Sequence, residues 1–586
     1  MKAMAAPLVT TTSRLGPAER VQAWRRVGEQ ELDVLVVGGG VTGAGVALDA
    51  ATRGLRTGLV EARDLASGTS SRSSKLFHGG LRYLEQLNFR LVAEALRERE
   101  LMLTRVAPHL VRPLPFLYPL THHAWERPYV ATGLALYDQM GGARSVPRQK
   151  HLSRGGALKR FPGLRRDALV GAVQYYDAQA DDARFTLSVA RTAAQYGAVV
   201  RSSTEVVEIL READRVVGAV LRDVENGAEQ RVRARVVINA TGVWTDDLQR
   251  MSGGRGRFRV RASKGVHLVV PRDRIAGETG LILRTERSVL FVIPWGQHWI
   301  VGTTDTDWAY DLAHPAATAA DVDYLLDTVN GVLATPLHRD DVVGVYAGLR
   351  PLLAGESEDT SRLSREHAVA RPQPGLISIA GGKLTTYRVM AADAVDAAAD
   401  DLAWLAGRGS LTPSVTQHVP LIGADGYAAM RNLVPELGRQ TGLALWRVEH
   451  LLGRYGSLLT EVLALADDDR SLLEPVPTAQ EYLKVELRYG ATHEAALHLE
   501  DLLARRTRMS IETRDRGVDS AAVAAELVRD VLGWDDDTVT AELDAYAARV
   551  DAERRSQQLA DDAGSDTARR KAPDVRPGLR SVTATR

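Results

Sequence analysis

Hydrophobic residues in the first two thirds of the chain fall in short runs that are separated by glycine-rich turns. Runs of this length that are rich in β-branched residues predict buried β-strands. The runs cover residues 33–37, 56–60, 199–209, 236–240, 265–270, 289–294 and 376–380. After about residue 400, alanine, leucine, glutamate and arginine recur at helical spacing, as in residues 479–489 and 493–506. The pattern predicts an α/β body followed by an all-helical C-terminal domain.

The two ends of the chain lack this pattern. Residues near the N-terminus are rich in threonine, alanine and proline, and the C-terminal end alternates small and charged residues. Segments with so little apolar content are typical of disorder. We therefore predict a flexible extension over 1–30, the α/β body over 31–400, the helical domain over 401–548 and a disordered basic tail over 549–586. The proline-rich residues 112–119 are a candidate membrane-facing patch or, equally, an ordinary loop that crosses between domains.

Composition excludes several classes of function. The 586 residues include 74 Lys plus Arg and 74 Asp plus Glu, so the formal net charge is zero. A protein that holds nucleic acid by bulk electrostatics needs a basic excess. The chain has no cysteine, which excludes disulfides, thiol nucleophiles and a cysteine-linked flavin. No apolar run is long enough to span a bilayer, so we expect a protein of the cytoplasm or of a membrane surface.

A dinucleotide-binding signature follows the first predicted strand. Gly38, Gly40 and Gly43 have G-x-G-x-x-G spacing and precede a small-residue helix. The first glycine permits a tight turn, the second lets a pyrophosphate approach the backbone, and the third lets the helix pack on the strand. Glu61 ends the second strand, where an acid meets a ribose hydroxyl and would repel a 2′-phosphate.

Three later segments favour FAD over a nicotinamide cofactor. Residues 67–75 offer hydroxyls and backbone donors, residues 236–242 form a strand that ends in Ala-Thr-Gly, and residues 377–386 place a glycine pair before a helix start. A helix N-terminus stabilises the negative charge that reduction adds to a flavin. The candidate cofactor-binding residues in these segments and the neighbouring Gly79 turn are Thr69, Ser70, Ser73, Ser74, Lys75, Gly79, Ala240, Gly242, Gly382, Lys383, Leu384 and Thr385.

Residues 73–85, 264–267, 302–305, 348–351 and 381–388 resemble, in order, the motifs of the FAD-dependent, quinone-linked glycerol-3-phosphate dehydrogenase family. The resemblance implies a Rossmann-like FAD domain interleaved with a mixed-sheet substrate domain, as in D-amino-acid oxidases. It implies oxidation of sn-glycerol 3-phosphate to dihydroxyacetone phosphate, with electrons passed to a membrane quinone. It also implies a homodimer attached peripherally to the cytoplasmic face of the inner membrane.

Binding of the substrate's phosphate requires positively charged side chains. Arg binds phosphate best because its planar guanidinium can donate to two oxygens. Arg82 and Arg350 are therefore the predicted phosphate-binding or substrate-orienting residues. Lys264 is a candidate for either the phosphate or the proton transfer.

Removal of the hydroxyl proton from the substrate needs a base. Neutral histidine serves at working pH, so His78 and His267 rank ahead of Lys383. His267 is also a candidate for holding the phosphate. Lys383 is better interpreted as a cation near the flavin.

Alternatives remain open from the sequence. An oxidase that passes electrons to oxygen would carry similar active-site residues, and an amino-acid or amine substrate would require a carboxylate site instead. A flavin-binding structural protein without turnover is a third reading. No metal site is predicted, because the adjacent His122 and His123 point apart in any regular element.

Overall fold

The computed structural model describes residues 12–80, 88–122, 125–140, 145–253, 258–285, 289–354, 366–403, 411–572, 574–576 and 578–579. The strands are β1 (Leu32–Val37), β2 (Thr57–Val60), β3 (Leu76–Phe77), β4 (Arg112–Leu120), β5 (Lys150–Ser153), β6 (Gly171–Gln179), β7 (Val199–Arg201), β8 (Thr204–Glu212), β9 (Arg215–Asp223), β10 (Glu229–Asn239), β11 (Val260–Pro271), β12 (Gly280–Arg284), β13 (Val289–Trp295), β14 (His298–Gly302), β15 (Thr306–Asp307), β16 (Gly344–Leu353), β17 (His367–Gln373), β18 (Leu376–Gly381), β19 (Pro475–Val476) and β20 (Ala479–Leu483). The α-helices are α1 (Pro17–Glu29), α2 (Val41–Thr52), α3 (Phe89–Leu101), α4 (Glu126–Met140), α5 (Arg154–Arg160), α6 (Asp182–Gln195), α7 (Thr245–Met251), α8 (Ala319–Asn330), α9 (Tyr387–Ala397), α10 (Ala399–Ala403), α11 (Tyr427–Asn432), α12 (Val434–Thr441), α13 (Leu445–Tyr455), α14 (Leu459–Ala464), α15 (Lys484–His493), α16 (Leu499–Asp501), α17 (Met509–Glu512), α18 (Val518–Leu532), α19 (Asp536–Ser556) and α20 (Asp562–Arg569).

The first sheet has the strand order β17-β18-β10-β1-β2-β7, with parallel pairing from β18 to β7. The continuous apolar run in β1 is explained by cover on both faces. Val34 and Val36 pack against the cluster that contains α2, while Leu35 and Val37 pack against the cluster that contains α1. The β8–β9 hairpin extends from β10 by antiparallel pairing.

The second sheet has the order β15-β11-β14-β13-β12-β4-β6-β3, with β16 added to β11 and β5 added to β6. It is mixed, because β12 and β4 are parallel while their neighbours are antiparallel. In sequence, β3–β6 and β11–β16 lie between strands of the first sheet. The predicted interleaving of a Rossmann-like domain with a mixed-sheet domain is confirmed.

The C-terminal domain is mostly helical but is not all-helical as predicted. Residues 479–489 were expected to form one helix, yet β20 pairs with β19 and the helix starts only at Lys484. The backbone N–H of Leu483 donates to the Glu486 carboxylate (3.1 Å), which fixes the helix start at this point. The proline-rich residues 112–119 also differ from prediction, because they lie within the largely buried strand β4.

Both ends of the chain differ from the predicted disorder where the structure describes them. Residues 1–11 lie outside the described residues, but α1 packs its buried Ala23 and Val27 against the first sheet. At the other end, α19 continues through the predicted boundary at residue 548, and Arg569 and Arg576 are each 3% exposed. The composition argument failed here because the charged side chains are buried in ion pairs. Among the described helices, none combines the length and apolar content needed to cross a bilayer.

Candidate functional site

The carboxyl ends of β1 and β10 open onto a cavity of about 500 Å³. The chain leaves β1 towards β2 on one side, and β10 lies on the other, which is the switch point where open α/β sheets bind ligands. The glycine turn, the serine-rich loop and the end of β10 all line this nucleotide cavity. The predicted residues that line it are Gly38, Gly40, Glu61, Thr69, Ser70, Ala240, Gly242, Gly382, Lys383 and Leu384.

The glycine turn has the geometry that its spacing predicts. Gly38 has a φ of +112°, and a Cβ there would lie 2.6 Å from the Ala240 carbonyl oxygen. A Cβ on Gly43 would overlap the Gly38 carbonyl oxygen, so close packing of helix on turn excludes a side chain. Gly40 borders the cavity, where the Ser70 hydroxyl accepts from the Val41 N–H (2.9 Å).

Glu61 closes the same turn from β2. Its carboxylate accepts hydrogen bonds from the N–H of Gly39 (2.6 Å) and from that of Arg63 (2.8 Å). Burial raises the pKa of Glu61, and these two backbone donors act against that shift. The carboxylate is therefore fixed at the cavity wall, where it can accept hydrogen bonds from ribose hydroxyls.

A second cavity of about 260 Å³ continues from the first. The two share Thr69, Ser70, Gly382, Lys383 and Leu384 in their walls. The sequence-predicted residues His78, His267, Arg350, Ser73, Ser74 and Thr385 line the second cavity. The fold thus brings residues from four distant segments to one place.

The serine-rich loop is held by one buried carboxylate. Asp182, at the start of α6, accepts from the N–H and hydroxyl of Ser73 (2.8 and 2.7 Å) and pairs with Lys75 (2.7 Å) and Arg508 (2.6 Å). Lys75 is fully buried in this cluster and does not line either cavity. Its prediction as a cofactor ligand is replaced by a role in holding the loop, because an isolated buried ammonium would be too costly.

His267 lies in the second cavity with its ring fixed on two sides. Its Nε2 is 2.8 Å from the Ser74 hydroxyl, and its ring stacks on Tyr346 with centroids 4.7 Å apart. Burial, together with the cations Arg350 and Lys75, lowers the pKa of His267 well below its usual range. The ring is therefore neutral at working pH.

His78 follows the short strand β3 and also lines the second cavity. Its N–H donates to the Thr385 hydroxyl (3.1 Å), which donates back to the His78 carbonyl (3.3 Å). This exchange joins the His78 turn to the Lys383 turn. Gly80 lines the cavity, whereas Gly79 does not, because its N–H donates to the Tyr137 hydroxyl and a Cβ there would contact Leu96.

Arg350 reaches the second cavity from β16. Its guanidinium donates to the Thr303 hydroxyl (3.1 Å) and the Thr304 carbonyl (3.2 Å), and Asp305 lies 3.4 Å away. Gly265 on the neighbouring strand leaves room for it, since a Cβ there would lie 2.6 Å from a guanidinium nitrogen. The planar group is thereby held in one orientation.

Lys264 does not belong to the site. It is 1% exposed and pairs with Asp321 (2.5 Å) and Asp562, among side chains that line neither cavity. Alternation along β11 explains this placement, because Lys264 and His267 lie three positions apart and therefore point to opposite faces. The predicted catalytic role of Lys264 is wrong.

Arg82 lies outside the described residues, so its role stays a prediction. Sequence reasoning missed Arg72, which lines the second cavity and donates to the Ala313 carbonyl (3.0 Å). Burial lowers the pKa of Arg72 to about 10, which leaves it charged at neutral pH. Its position within the serine-rich residues 67–75 could have identified it as a residue near the site. Trp244, at the end of β10, was also missed and lines the nucleotide cavity.

The residues present fit FAD. The glycine turn admits a pyrophosphate, Glu61 suits a ribose, and the short 3₁₀ helix Leu384–Thr386 starts where the cavities meet. The fold and site therefore define a dinucleotide-binding flavoprotein with an adjoining substrate cavity.

Comparisons with known proteins agree with this class. Residues 33–388 match the family model described as FAD dependent oxidoreductase, and residues 414–539 match the C-terminal domain of alpha-glycerophosphate oxidase. The chain is 63% identical over 562 residues to Glycerol-3-phosphate dehydrogenase 2 of Mycobacterium tuberculosis, covering 96% of this chain and 95% of that protein. It is 38% identical over 547 residues to the human mitochondrial glycerol-3-phosphate dehydrogenase, covering 89% and 74%.

A solved structure of glycerol-3-phosphate dehydrogenase from Bacillus halodurans complexed with FAD is similar, with a TM-score of 0.75 and 29% identity. The match covers 91% of this chain and 97% of that one. The chain belongs to the FAD-dependent oxidoreductases and, within them, to the glycerol-3-phosphate dehydrogenase family.

We predict that Gly43→Ala abolishes FAD binding, because the added methyl group collides with the Gly38 carbonyl in the turn that holds the pyrophosphate. The measurement is the flavin content of the purified protein. Gly133→Ala is the matched control, because a Cβ at this helical position meets nothing within 4 Å. Full flavin content in Gly43→Ala would contradict the assignment of the turn.

Proposed function

We propose that this protein oxidises sn-glycerol 3-phosphate to dihydroxyacetone phosphate and passes the electrons to a membrane quinone. The observation that carries the proposal is the continuity of the dinucleotide cavity with a second cavity that is lined by cations. The names of the relatives support the same substrate. Bound FAD supplies the acceptor for the hydride that leaves the substrate.

The cations of the second cavity support a phosphate-bearing substrate. Arg350 and Lys383 line it. Arg72 is also in its wall, but the Arg72 guanidinium donates to Ala313 and interacts with Glu500 and Arg549, which do not line this cavity. Three carboxylates also line it, and each is paired: Asp182 with Lys75 and Arg508, Asp177 with Arg99, and Asp305 with Arg350 itself. Lys383 and the fixed fork of Arg350 are therefore the groups that suit the oxygens of a phosphate.

For the proton acceptor we favour His78 over His267. The lowered pKa of His267 makes its charged form unfavourable, and its Nε2 is already engaged with Ser74. His78 and Gly80 both line the second cavity. The His78 N–H also donates to Thr385, in the turn that carries Lys383. Proton transfer from the substrate hydroxyl to His78 would accompany hydride loss from the same carbon. Apolar Phe291 and Leu76 in the wall keep water from the reacting carbon.

Arg350→Gln is expected to raise the KM for glycerol 3-phosphate by about ten- to a hundredfold, since a charge-assisted hydrogen bond contributes roughly 1.5–3 kcal/mol. FAD content should stay unchanged. Arg350→Lys keeps the charge but loses the fork, so its KM should lie between those of the wild type and Arg350→Gln. Steady-state kinetics check this, and an unchanged KM in Arg350→Gln would remove Arg350 from the phosphate site.

The electron acceptor separates the proposal from the oxidase alternative. With glycerol 3-phosphate present, we expect the holoenzyme to reduce a soluble short-chain quinone without oxygen. In air, hydrogen peroxide should account for only a small share of the substrate consumed. Peroxide formed in equal amount to the substrate consumed would establish the oxidase instead. No turnover with either acceptor would support the hypothesis of a non-catalytic flavin-binding protein.

A surface of the second domain supports contact with the quinone's membrane. On α4 and just before it, Trp125, Tyr129 and Leu136 are 55%, 51% and 36% exposed and lie on one helical face. The adjoining residues 145–166 contain no acidic residue. Their exposed basic side chains are Arg148, Lys150, Arg154, Lys159, Arg160, Arg165 and Arg166. Two of them are paired, Arg160 with Glu278 (3.6 Å) and Arg165 with the following Asp167 (3.2 Å).

The basic segment packs beside α4, because the Gln149 N–H donates to the Asp138 carboxylate (2.8 Å) and Arg127 donates to the Leu152 carbonyl (3.1 Å). Aromatic groups beside basic groups suit the boundary of an anionic bilayer. We call this surface the α4 face and propose that it contacts the cytoplasmic side of the inner membrane. The homodimer implied by the family resemblance stays a prediction.

The double variant Trp125→Ser/Tyr129→Ser is expected to weaken binding to phosphatidylserine-containing vesicles by at least about tenfold, because two aromatic groups no longer enter the interface. Vesicle sedimentation measures it. The control is Trp446→Ser, which removes a tryptophan that is 49% exposed on α13. Equal losses in the two proteins, or none in the double variant, would remove the α4 face from the proposal.

A further inference from the structure

The described residues near the C-terminus run along the nucleotide cavity. We define the C-terminal strap as residues 574–576 and 578–579. Leu579 lines the nucleotide cavity together with Glu61, Arg63 and Trp244. Glu61 follows β2, and the acid at this position faces the adenosine ribose in this class of fold. The strap therefore lies at the adenosine end.

Arg576 anchors the strap between two domains. It is 3% exposed, and its guanidinium bonds both carboxylate oxygens of Asp501 (2.9 and 3.1 Å) and the Ser203 hydroxyl (2.7 Å). Asp501 ends α16 in the C-terminal domain, and Ser203 precedes β8 in the nucleotide-binding domain. Nη2 contacts both carboxylate oxygens and Nε donates to Ser203, so two nitrogens of the buried guanidinium are engaged. The strap is thus fixed to both domains.

Two weaker contacts continue this path. The Asp574 carboxylate pairs with Arg63 (3.0 Å), whose guanidinium lies over the Trp244 ring at 6.0 Å. The Gly578 carbonyl accepts from Arg222, another residue of the cavity wall (3.4 Å). The strap therefore contacts two cavity-lining side chains, Arg63 and Arg222, before it reaches Leu579.

We propose that the C-terminal strap closes the adenosine end of the FAD cavity and retains the cofactor, with Leu579 as the group that faces FAD. A cofactor leaving past this end has to displace the strap, which requires breaking the Arg576–Asp501 pair. Loss of the pair should speed FAD release without altering the substrate cavity. The inference rests on the FAD site and does not depend on the proposed substrate.

Arg576→Leu and Leu579→Ser, each in the full chain, test the proposal. Asp501 still pairs with Arg505 (2.6 Å) when Arg576 is absent, so the domain interface keeps a partner for this carboxylate. The control is Arg570→Leu, which removes a half-exposed arginine of the same segment. The FAD dissociation rate is followed by the rise in flavin fluorescence on release.

We expect FAD to dissociate at least about tenfold faster from Arg576→Leu, and measurably faster from Leu579→Ser, while Arg570→Leu stays within about twofold of the wild type. The shift in Tm between apoprotein and holoenzyme should shrink, because a ligand stabilises in proportion to its affinity. Unchanged dissociation in Arg576→Leu would overturn the proposal. So would equal losses of Tm with and without FAD, since these would indicate a purely structural role.

Discussion

The buried carboxylate of Asp182 is the interaction on which the site depends most. It pairs with Lys75 and Arg508, both nearly inaccessible to solvent, and accepts two hydrogen bonds from Ser73. Buried charges persist only where they are paired, so the serine-rich loop, α6 and the C-terminal domain must meet at this point. The positions of Ser74 and of the His267 ring that it contacts follow from this constraint.

Local rules predicted the part of the site that depends on backbone spacing. Gly38 and Gly43 have the tight turn and the close packing that their spacing requires, and Glu61 ends β2 as expected. Strand periodicity also predicts that His267 and Lys264 point to opposite faces of β11, so the sequence could have excluded Lys264 from the site of His267. The interleaved fold was predictable mainly through family resemblance, because no local pattern specifies which distant strands pair.

Features that depend on partners far along the chain were beyond sequence reasoning. Lys75 and Arg72 lie three positions apart in one polar loop. Lys75 nevertheless pairs with Asp182, whereas Arg72 lines the second cavity. Composition likewise suggested a disordered tail, but Arg576 is buried because Asp501 balances its charge. Asp182 lies 107 positions from Lys75, and Asp501 lies 75 positions from Arg576. Neither the charge nor the periodicity near each basic residue therefore indicates whether it is buried.

The central claim is that the joined cavities form an oxidation site that selects a phosphate-bearing alcohol. The most direct test is the visible spectrum of the FAD-loaded protein, mixed without oxygen and without acceptor with sn-glycerol 3-phosphate or with glycerol. We expect the flavin absorbance to bleach with glycerol 3-phosphate and to persist with glycerol. Flavin that stays oxidised with glycerol 3-phosphate, or that bleaches equally with glycerol, would contradict it.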